Sequence, residues 1–157
     1  MAYLLHQLGP DDLALFRDLQ HVFGQAFDDL ATYTAAPPRD AYVSALLAKP
    51  HFIALVAVQA REQNKEGAHV VAGLAAYVLE KFERERSEVY IYDLAVAEAH
   101  RRRGLATRLI EELKRVAKHK GAYVIFVQAD PPDAPALKLY ESLGVREDVH
   151  HFDIDVP

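Results

Sequence analysis

The chain has 157 residues, 51% hydrophobic and 26% charged, a composition that excludes wholesale disorder and suits a single domain spanning residues 1–157. It contains no cysteine, which excludes a disulfide scaffold, a thiolate metal site and a cysteine nucleophile. No apolar run reaches the length of a membrane span, and the first residues lack the features of an export signal. We therefore expect a cytoplasmic protein that does not bind membranes.

The charge is unevenly distributed along the chain. The formal net charge is −5, from 18 basic and 23 acidic residues, yet residues 100–120 hold eight lysines and arginines against two glutamates. This segregation indicates an anionic ligand at one place and a cationic ligand elsewhere, although a solvated helix face beside an acidic surface explains it equally well. The negative total and the lack of a basic aromatic platform argue against nucleic-acid binding.

Hydrophobic periodicity divides the first half of the chain into five elements. Strands show alternating or continuous apolar residues, helices show apolar residues every three or four positions, and glycine or proline separates several of the elements. In chain order they are a strand at residues 4–8, a helix around 13–23, a helix from about 39 to 49, and strands at 51–58 and 69–79 with a hairpin loop at 61–67.

The second half predicts a strand at 89–96, a helix from 105 that Gly121 closes, a strand at 122–127, a short helix ending near 143 and a last strand at 149–156. The run 122–127 is apolar throughout, which is typical of a strand buried on both faces. In the last strand, Asp153 and Asp155 alternate with apolar residues, so both carboxylates project from one face. The order β-α-α-β-β-β-α-β-α-β predicts a mixed α/β sheet domain.

The loop between the strand at 89–96 and the following helix has the features of a phosphate site. A helix N-terminus offers backbone N–H groups without partners and a partial positive charge, and Gly104 lets the backbone approach a ligand closely. The sequence shows neither the Walker spacing nor the three-glycine dinucleotide fingerprint. The loop favours phosphate binding, and the alternative is a simple turn beside a solvated cluster of Arg101, Arg102 and Arg103.

Two motifs in this half resemble the Gcn5-related N-acetyltransferase superfamily. The first, after a strand ending Leu94-Ala95-Val96, resembles the acetyl-CoA signature and reads Arg101-x-x-Gly104-x-Ala106. The second resembles the family pattern Asn-x-x-Ala-x-x-Leu-Tyr-x-x-x-Gly and reads Asp133-x-x-Ala136-Leu137-x-Leu139-Tyr140-x-x-Leu143-Gly144. At finer grain, residues 87–155 look like aminoglycoside 3-N-acetyltransferases of the gentamicin-resistance type. The resemblance implies the fold of that superfamily, with the two central parallel strands splayed apart.

The resemblance also implies how acetyl-CoA is held. Backbone groups of Leu94, Ala95 and Val96 would hold the pantetheine arm and the thioester. The pyrophosphate would be held by the loop and the first helical turn: Arg101, Arg102, Arg103, Gly104, Leu105, Ala106 and Thr107. Asp133 stands where the family usually has asparagine, and an ionised carboxylate accepts hydrogen bonds but cannot donate them, so its contact to pantetheine departs from the family pattern.

Two residues are candidates for the proton transfers. Tyr140 matches the tyrosine that serves the family as general acid to the departing CoA thiolate, and a phenol with a pKa of about 10 is protonated at neutral pH; packing is its alternative role. Asp93 is the candidate base, because a carboxylate inside an apolar, aromatic strand is costly to bury without a partner. Its alternative role is a structural hydrogen bond. The candidates for binding a cationic substrate are Glu88, Asp93, Asp130, Asp153 and Asp155.

The sequence therefore predicts an acetyl-CoA-dependent N-acetyltransferase that modifies the 3-amino group of 2-deoxystreptamine aminoglycosides and confers resistance to antibiotics such as gentamicin. Since there is no cysteine to form an acyl-enzyme, direct transfer in a ternary complex is expected. A polyamine or another small amine is an alternative acceptor, and a non-catalytic acetyl-CoA-binding module is an alternative class. The resemblance implies a homodimer. His150-His151 lacks a further ligand at suitable spacing, so no metal is expected.

Overall fold

A computed structural model describes residues 2–60 and 68–157 of the chain. The hairpin loop predicted at residues 61–67 lies outside the described residues. Strands, α-helices and two short helical segments follow one another in this order: β1 (Tyr3–Gln7), α1 (Leu13–Ala26), a π-helix (Ala31–Ala35), α2 (Asp40–Leu47), β2 (Phe52–Gln59), β3 (His69–Glu80), β4 (Ser87–Val96), a 3₁₀ helix (Glu98–His100), α3 (Leu105–His119), β5 (Ala122–Val127) and α4 (Ala134–Leu143).

The five strands form one mixed sheet in the order β1-β2-β3-β4-β5. Each of the first four pairs antiparallel with its neighbour, whereas β5 runs parallel to β4. A parallel pair needs a long crossover between its strands, and α3 supplies it. The mixed α/β fold predicted from the sequence is confirmed.

Helices cover both faces of this sheet and create two apolar layers. On one face α1 and α2 bury residues such as Leu19 and Val43, and on the other α3 buries Leu109 and Leu113. The apolar stripe predicted for α3 is confirmed, as is its end at Gly121, which has a φ of +71°. We call the two layers the α1 face and the α3 face of the sheet.

The α1 face approaches the sheet most closely at Gly73, a buried residue of β3. A Cβ atom added there would overlap the Cδ1 atom of Leu19 and lie 2.7 Å from the carbonyl oxygen of Leu55. Helix α1 can therefore rest on β3 only because this position has no side chain.

Two sequence predictions about the C-terminal part are wrong for the single chain. The strand β5 is not buried on both faces. It is the edge strand of the sheet, and Tyr123, Val124 and Phe126 are exposed. The predicted strand at residues 149–156 does not form, and its apolar residues are exposed as well. An alternating pattern becomes a strand only where a neighbouring strand supplies hydrogen-bond partners, and in the described chain this segment has none.

Candidate functional site

The loop between β4 and α3 ends at a helix N-terminus with open backbone groups. Gly104 caps the helix with a φ of +73°, a conformation that glycine adopts without strain. The N–H of Arg108 donates to the Gly104 carbonyl at 3.0 Å. The N–H groups of Leu105, Ala106 and Thr107 precede that bond and point out of the first turn, as at any helix start. This arrangement suits an anionic group such as a phosphate.

The arginines of this loop surround the helix N-terminus. Arg101 donates through Nε to the carbonyl of Val96 at 3.2 Å, which ties the loop to the end of β4. Arg102 has a φ of +60°, unusual for a residue with a side chain, so the chain turns sharply there. The side chains of Arg101, Arg102 and Arg103 are exposed and add positive charge around the open N–H groups.

Strands β4 and β5 separate beside this loop, as predicted. Their pairing ends at Ile91 and Val127. Beyond that point Leu94, Ala95 and Val96 pair with β3 on one side, and no strand of the described chain pairs with them on the other. Their backbone groups on the open edge can bind an extended ligand in the way a sheet binds an added strand.

A β-bulge interrupts β4 at Tyr92. Asp93 pairs with Ala75 and Ile91 pairs with Ala76, so Tyr92 has no partner in β3. Strict alternation would place Ile91 and Asp93 on the same face. The bulge reverses the alternation, so Ile91 packs on the α3 face while Asp93 faces the α1 side. Sequence reasoning missed this bulge, which has no residue signature in the run Tyr-Ile-Tyr-Asp.

Asp93 has a specific partner on the α1 side. The hydroxyl of Tyr33, in the π-helix, donates to Oδ2 of Asp93 at 2.8 Å. Burial raises the pKa of Asp93 above its usual value, although the hydrogen bond from Tyr33 acts in the opposite direction. Burial and the adjacent carboxylate also raise the pKa of Tyr33, so the phenol stays protonated and remains a donor. The structural hydrogen bond considered as an alternative thus exists, and it leaves the carboxylate partly exposed.

Aromatic rings lie next to Asp93 on the same side of the sheet. Tyr92 lies 6.0 Å from Tyr77 and 5.8 Å from Tyr90, in edge-to-face geometry. Tyr90 stacks on Phe126 of β5 at 4.7 Å. We call Tyr77, Tyr90, Tyr92 and Phe126 the aromatic surface. Sequence reasoning did not single out these rings as a site, although Tyr90 and Tyr92 stand out in the strand.

A cavity of about 440 Å³ lies between the end of α1 and the β4–α3 loop. Two acidic groups and one basic group line it: Asp28 from the segment after α1, and Glu98 and Arg101 from the β4–α3 loop. The other lining residues are Gly24, Gln25, Ala26, Leu30 and Ala97. Asp28 has a φ of +52°, so the chain turns tightly where it leaves α1. The polar stretch after α1 has no periodic signal, so sequence reasoning did not identify Asp28.

Tyr140 lies on α4, on the opposite side of the sheet from Asp93. Its ring is half-buried against the α3-face core, which Leu94 and Val96 also contact. Burial, with a smaller contribution from the charge of Asp133, raises the pKa of Tyr140 to about 12. Asp133 caps α4 and accepts a hydrogen bond from the N–H of Ala136 at 3.1 Å.

The other predicted substrate residues are dispersed. Glu88, near the start of β4, accepts a hydrogen bond from Tyr123 and lies 3.2 Å from Nζ of Lys81; its pKa is lowered, by the Tyr123 hydroxyl first and also by the lysine. Asp130 is exposed after β5. Asp153 and Asp155 are exposed in the C-terminal segment, where Asp153 lies 2.9 Å from His151. Only Asp93, among the five predicted residues, lies beside the open edge of β4.

Comparison with known proteins assigns the fold to a family. The model of the Acetyltransferase (GNAT) family matches residues 15–145. The chain belongs to this family. No curated protein sequence matches it significantly.

Solved structures include two similar proteins from uncultured soil metagenomic samples. One is an aminoglycoside acetyltransferase that is 55% identical, with a TM-score of 0.92 and 100% of both chains covered. The other, solved in complex with sisomicin, is an aminoglycoside acetyltransferase that is 31% identical, with a TM-score of 0.84, 99% of this chain and 97% of that chain covered. The aminoglycoside N-acetyltransferase AAC(6')-Iy, solved with CoA, shares the fold at 17% identity and a TM-score of 0.71. The match covers 99% of this chain and 95% of that chain.

Residues 2–60 and 68–157 contain no group of three or more histidine, cysteine or acidic side chains placed to hold a metal ion. In the same part of the chain, every helix is too short or too polar to cross a membrane.

Proposed function

We propose that this chain transfers the acetyl group of acetyl-CoA to an aminoglycoside, at the 3-amino group of its 2-deoxystreptamine ring, and thereby confers resistance. The observation that carries the proposal is the position of Asp93. Its carboxylate is partly buried on the α1 side of the sheet and lies beside both the open edge of β4 and the aromatic surface. A carboxylate attracts a cationic amine, and aromatic faces pack against the apolar faces of sugar rings. The full-length similarity to a soil aminoglycoside acetyltransferase supports the substrate class.

The residues of the chain fit acetyl-CoA. The turn at Gly104 and the open N–H groups of α3 suit the pyrophosphate, with Arg101, Arg102 and Arg103 adding charge. The open edge of β4 suits the amide groups of the pantetheine arm. When bound, acetyl-CoA supplies the acetyl group and a thiolate leaving group.

Asp93 is proposed as the base for the acceptor amine. An alkyl ammonium group such as that of lysine has a pKa of about 10.4, so an acceptor amine arrives largely protonated and must lose a proton before it can attack. Because burial raises the pKa of Asp93, this carboxylate holds a proton more readily than an exposed one would. The hydroxyl of Tyr33 orients the carboxylate, and its hydrogen bond favours the ionised form, which partly opposes the effect of burial on the pKa.

Tyr140 is proposed as the acid for the departing sulfur. Its pKa of about 12 means that the phenol carries its proton throughout the neutral range. Asp93 lies on the α1 side of the sheet and Tyr140 on the α3 side, with the gap between β4 and β5 dividing them. A thioester bound in that gap has the base on the side of the incoming amine and the acid on the other. Before attack, the proton of the ammonium group passes through Asp93 to solvent. As the C–N bond forms and the C–S bond breaks, nitrogen gives its second proton to Asp93 and Tyr140 donates one to sulfur; Asp93 then loses its proton to solvent and Tyr140 regains one from it.

The test is thiol release from acetyl-CoA with gentamicin, kanamycin and spermidine as parallel acceptors, followed by NMR of the product. Fast release with gentamicin and a 3-N-acetyl product is the expected result. A product acetylated elsewhere on the drug would overturn the position, and release with spermidine alone would move the function to polyamines. No release with any acceptor would favour a module that binds acetyl-CoA without catalysis.

A pair of variants connects the activity to the site. Asp93→Asn keeps the shape and can still accept the Tyr33 hydrogen bond but cannot take up the proton, so we expect kcat/KM for gentamicin to fall about 10²–10⁴-fold. Asp148→Asn is the matched control, because Asp148 is exposed and pairs with Arg146 after α4. Equal activity of the two variants would exclude Asp93 as the base. Bacteria expressing the wild-type chain should also tolerate more gentamicin than bacteria expressing Asp93→Asn.

A further inference from the structure

The loop proposed to bind the phosphates of acetyl-CoA has a backbone conformation that needs support. We call residues 101–107 the phosphate loop. Arg102 and Gly104 both have positive φ values, +60° and +73°. A residue with a side chain adopts such a φ only where its surroundings hold it there. The open N–H groups of α3 also bind an anion best when they already point at it, because ordering them during binding costs affinity.

Strand β1 contacts both ends of the phosphate loop through one residue, Tyr3. Before the loop, a hydrogen bond of 2.9 Å joins the Tyr3 hydroxyl to Nδ1 of His100. After the loop, Nη2 of Arg108 donates to the Tyr3 carbonyl at 3.1 Å. The N–H of the same Arg108 donates to the Gly104 carbonyl. Tyr3 is therefore bonded to the residue on either side of the loop, although these lie 97 and 105 positions away along the chain.

The ring of His100 lies beside rings from two strands. It meets the Tyr3 ring of β1 edge-to-face at 5.8 Å and lies 6.2 Å from the His69 ring of β3. Burial and the charges of Arg103 and His69 lower the pKa of His100, so the imidazole is mostly neutral at pH 7. A neutral imidazole can accept a hydrogen bond from the Tyr3 hydroxyl at Nδ1. His100 thus attaches the segment just before the phosphate loop to the sheet.

Strand β1 is a firm support for these contacts. It pairs with β2 along its whole length, from Tyr3 opposite Gln59 to Gln7 opposite Leu55. The Tyr3 ring also packs against the α3-face core. A group on a paired strand is positioned more precisely than a group on a loop, so a hydrogen bond to Tyr3 restricts the loop more than a bond within the loop would.

We propose that Tyr3 is a positioning residue for acetyl-CoA: its hydroxyl and its carbonyl hold the two ends of the phosphate loop in the conformation that binds the pyrophosphate. This role rests on the proposed function, since it assumes that the phosphates bind at this loop. Tyr3 acts through His100 and Arg108. Its effect falls on the affinity for acetyl-CoA and not on the chemical step, because the proposed base and acid lie on β4 and α4, and two strands separate β4 from β1.

The size of the effect follows from the hydrogen bond at the Tyr3 hydroxyl. Phenylalanine keeps the ring contact with His100 and removes this bond. A neutral hydrogen bond within a protein changes an equilibrium constant by about two- to tenfold, so the loop of Tyr3→Phe should open more often by that factor. Affinity falls with the fraction of molecules whose site is ready to bind. The Kd for CoA should therefore rise about two- to tenfold.

Calorimetric titration with CoA measures the affinity, and acetyl transfer to gentamicin separates KM from kcat. Tyr3→Phe should raise the Kd for CoA and the KM for acetyl-CoA by the same factor and change kcat less than about twofold. Partial unfolding would instead lower the apparent kcat, since fewer molecules would be active. Tyr123→Phe is the matched control, because it removes a hydroxyl that donates to Glu88 on the opposite edge of the sheet, and it should change neither constant. A Kd for Tyr3→Phe less than about twofold above the wild type would overturn the proposal.

A double-mutant cycle decides whether Tyr3 acts through His100. His100→Phe keeps a ring and removes the other end of the same hydrogen bond, so it should raise the Kd for CoA by a similar factor. The double variant Tyr3→Phe/His100→Phe should bind CoA no more weakly than the weaker of the two single variants. Effects that multiply in the double variant would show that the two residues act independently and would contradict the proposal.

Amide hydrogen exchange reports on the loop without a ligand. The N–H of Arg108, bonded to the Gly104 carbonyl at 3.0 Å, should exchange about two- to tenfold faster in Tyr3→Phe than in the wild type. Equal exchange would mean that Tyr3 does not hold the loop. A wild-type chain that binds no CoA would refute the proposed function together with this role. A wild-type chain that binds CoA but acetylates no aminoglycoside would refute the activity alone, because affinity and exchange would still decide the role of Tyr3.

Discussion

Replacing Tyr140 by phenylalanine separates its chemical role from packing. The ring lies half-buried against the α3-face core, and phenylalanine keeps that contact. Within residues 2–60 and 68–157 the Tyr140 hydroxyl makes no hydrogen bond to another group of the protein, so its removal leaves no polar partner unsatisfied. The thermal unfolding midpoint of Tyr140→Phe should therefore stay within about 2 °C of the wild type, since a change of about 1 kcal/mol shifts a domain of this size by only a few degrees.

The catalytic effect should be much larger. With a pKa of about 12, Tyr140 is protonated in all but roughly one molecule in 10⁵ at pH 7, so nearly every enzyme molecule can donate the proton. Losing a positioned general acid costs typically about 10²–10⁴-fold in rate. We expect kcat for acetyl transfer to fall by that factor while KM for acetyl-CoA changes less than about threefold, because the phenol acts on the leaving sulfur and not on the phosphates.

The assay is steady-state thiol release with gentamicin as acceptor, together with a binding measurement for CoA. A kcat within about threefold of the wild type would refute the assignment of Tyr140 as the acid and leave packing as its role. A fall in kcat accompanied by an equal loss of CoA affinity would point instead to a binding role.

Three other substitutions test the geometry of the site and the sheet. Tyr33→Phe removes the hydrogen bond that lowers the pKa of Asp93. The pKa of Asp93 should therefore rise further, and the acid limb of the pH profile of kcat/KM should move to higher pH. An acid limb that does not move would mean that Asp93 is not the titrating base. Gly104→Ala meets no atom within 4 Å but must adopt a φ of +73°, so it should cost about 1–2 kcal/mol in urea unfolding and raise KM for acetyl-CoA. Gly73→Ala must push against the carbonyl of Leu55, so about 1–3 kcal/mol of stability should be lost, and a smaller loss would show that α1 moves freely on β3.

The amino-acid sequence by itself determined most of the helices and strands and the glycine turn before α3, where we propose that the phosphates of acetyl-CoA bind. Side-chain periodicity reports directly which residues must face a core, so α3, the central strands and the end of α3 at Gly121 were predictable. The same holds for the turn at Gly104, because a left-handed residue before a helix is a local requirement. These features depend on neighbours close along the chain.

Tertiary structure alone decided the direction of Asp93 and the state of the C-terminal segment. The bulge at Tyr92 exists only in the pairing of β4 with β3, and it turns Asp93 to the α1 side, where Tyr33 meets it from 60 positions away along the chain. Residues 149–156 have the pattern of a strand but no strand beside them in the described chain. Alternation encodes which face of a segment is apolar, whereas a strand also needs an edge to pair with, and that edge is supplied by the assembled fold.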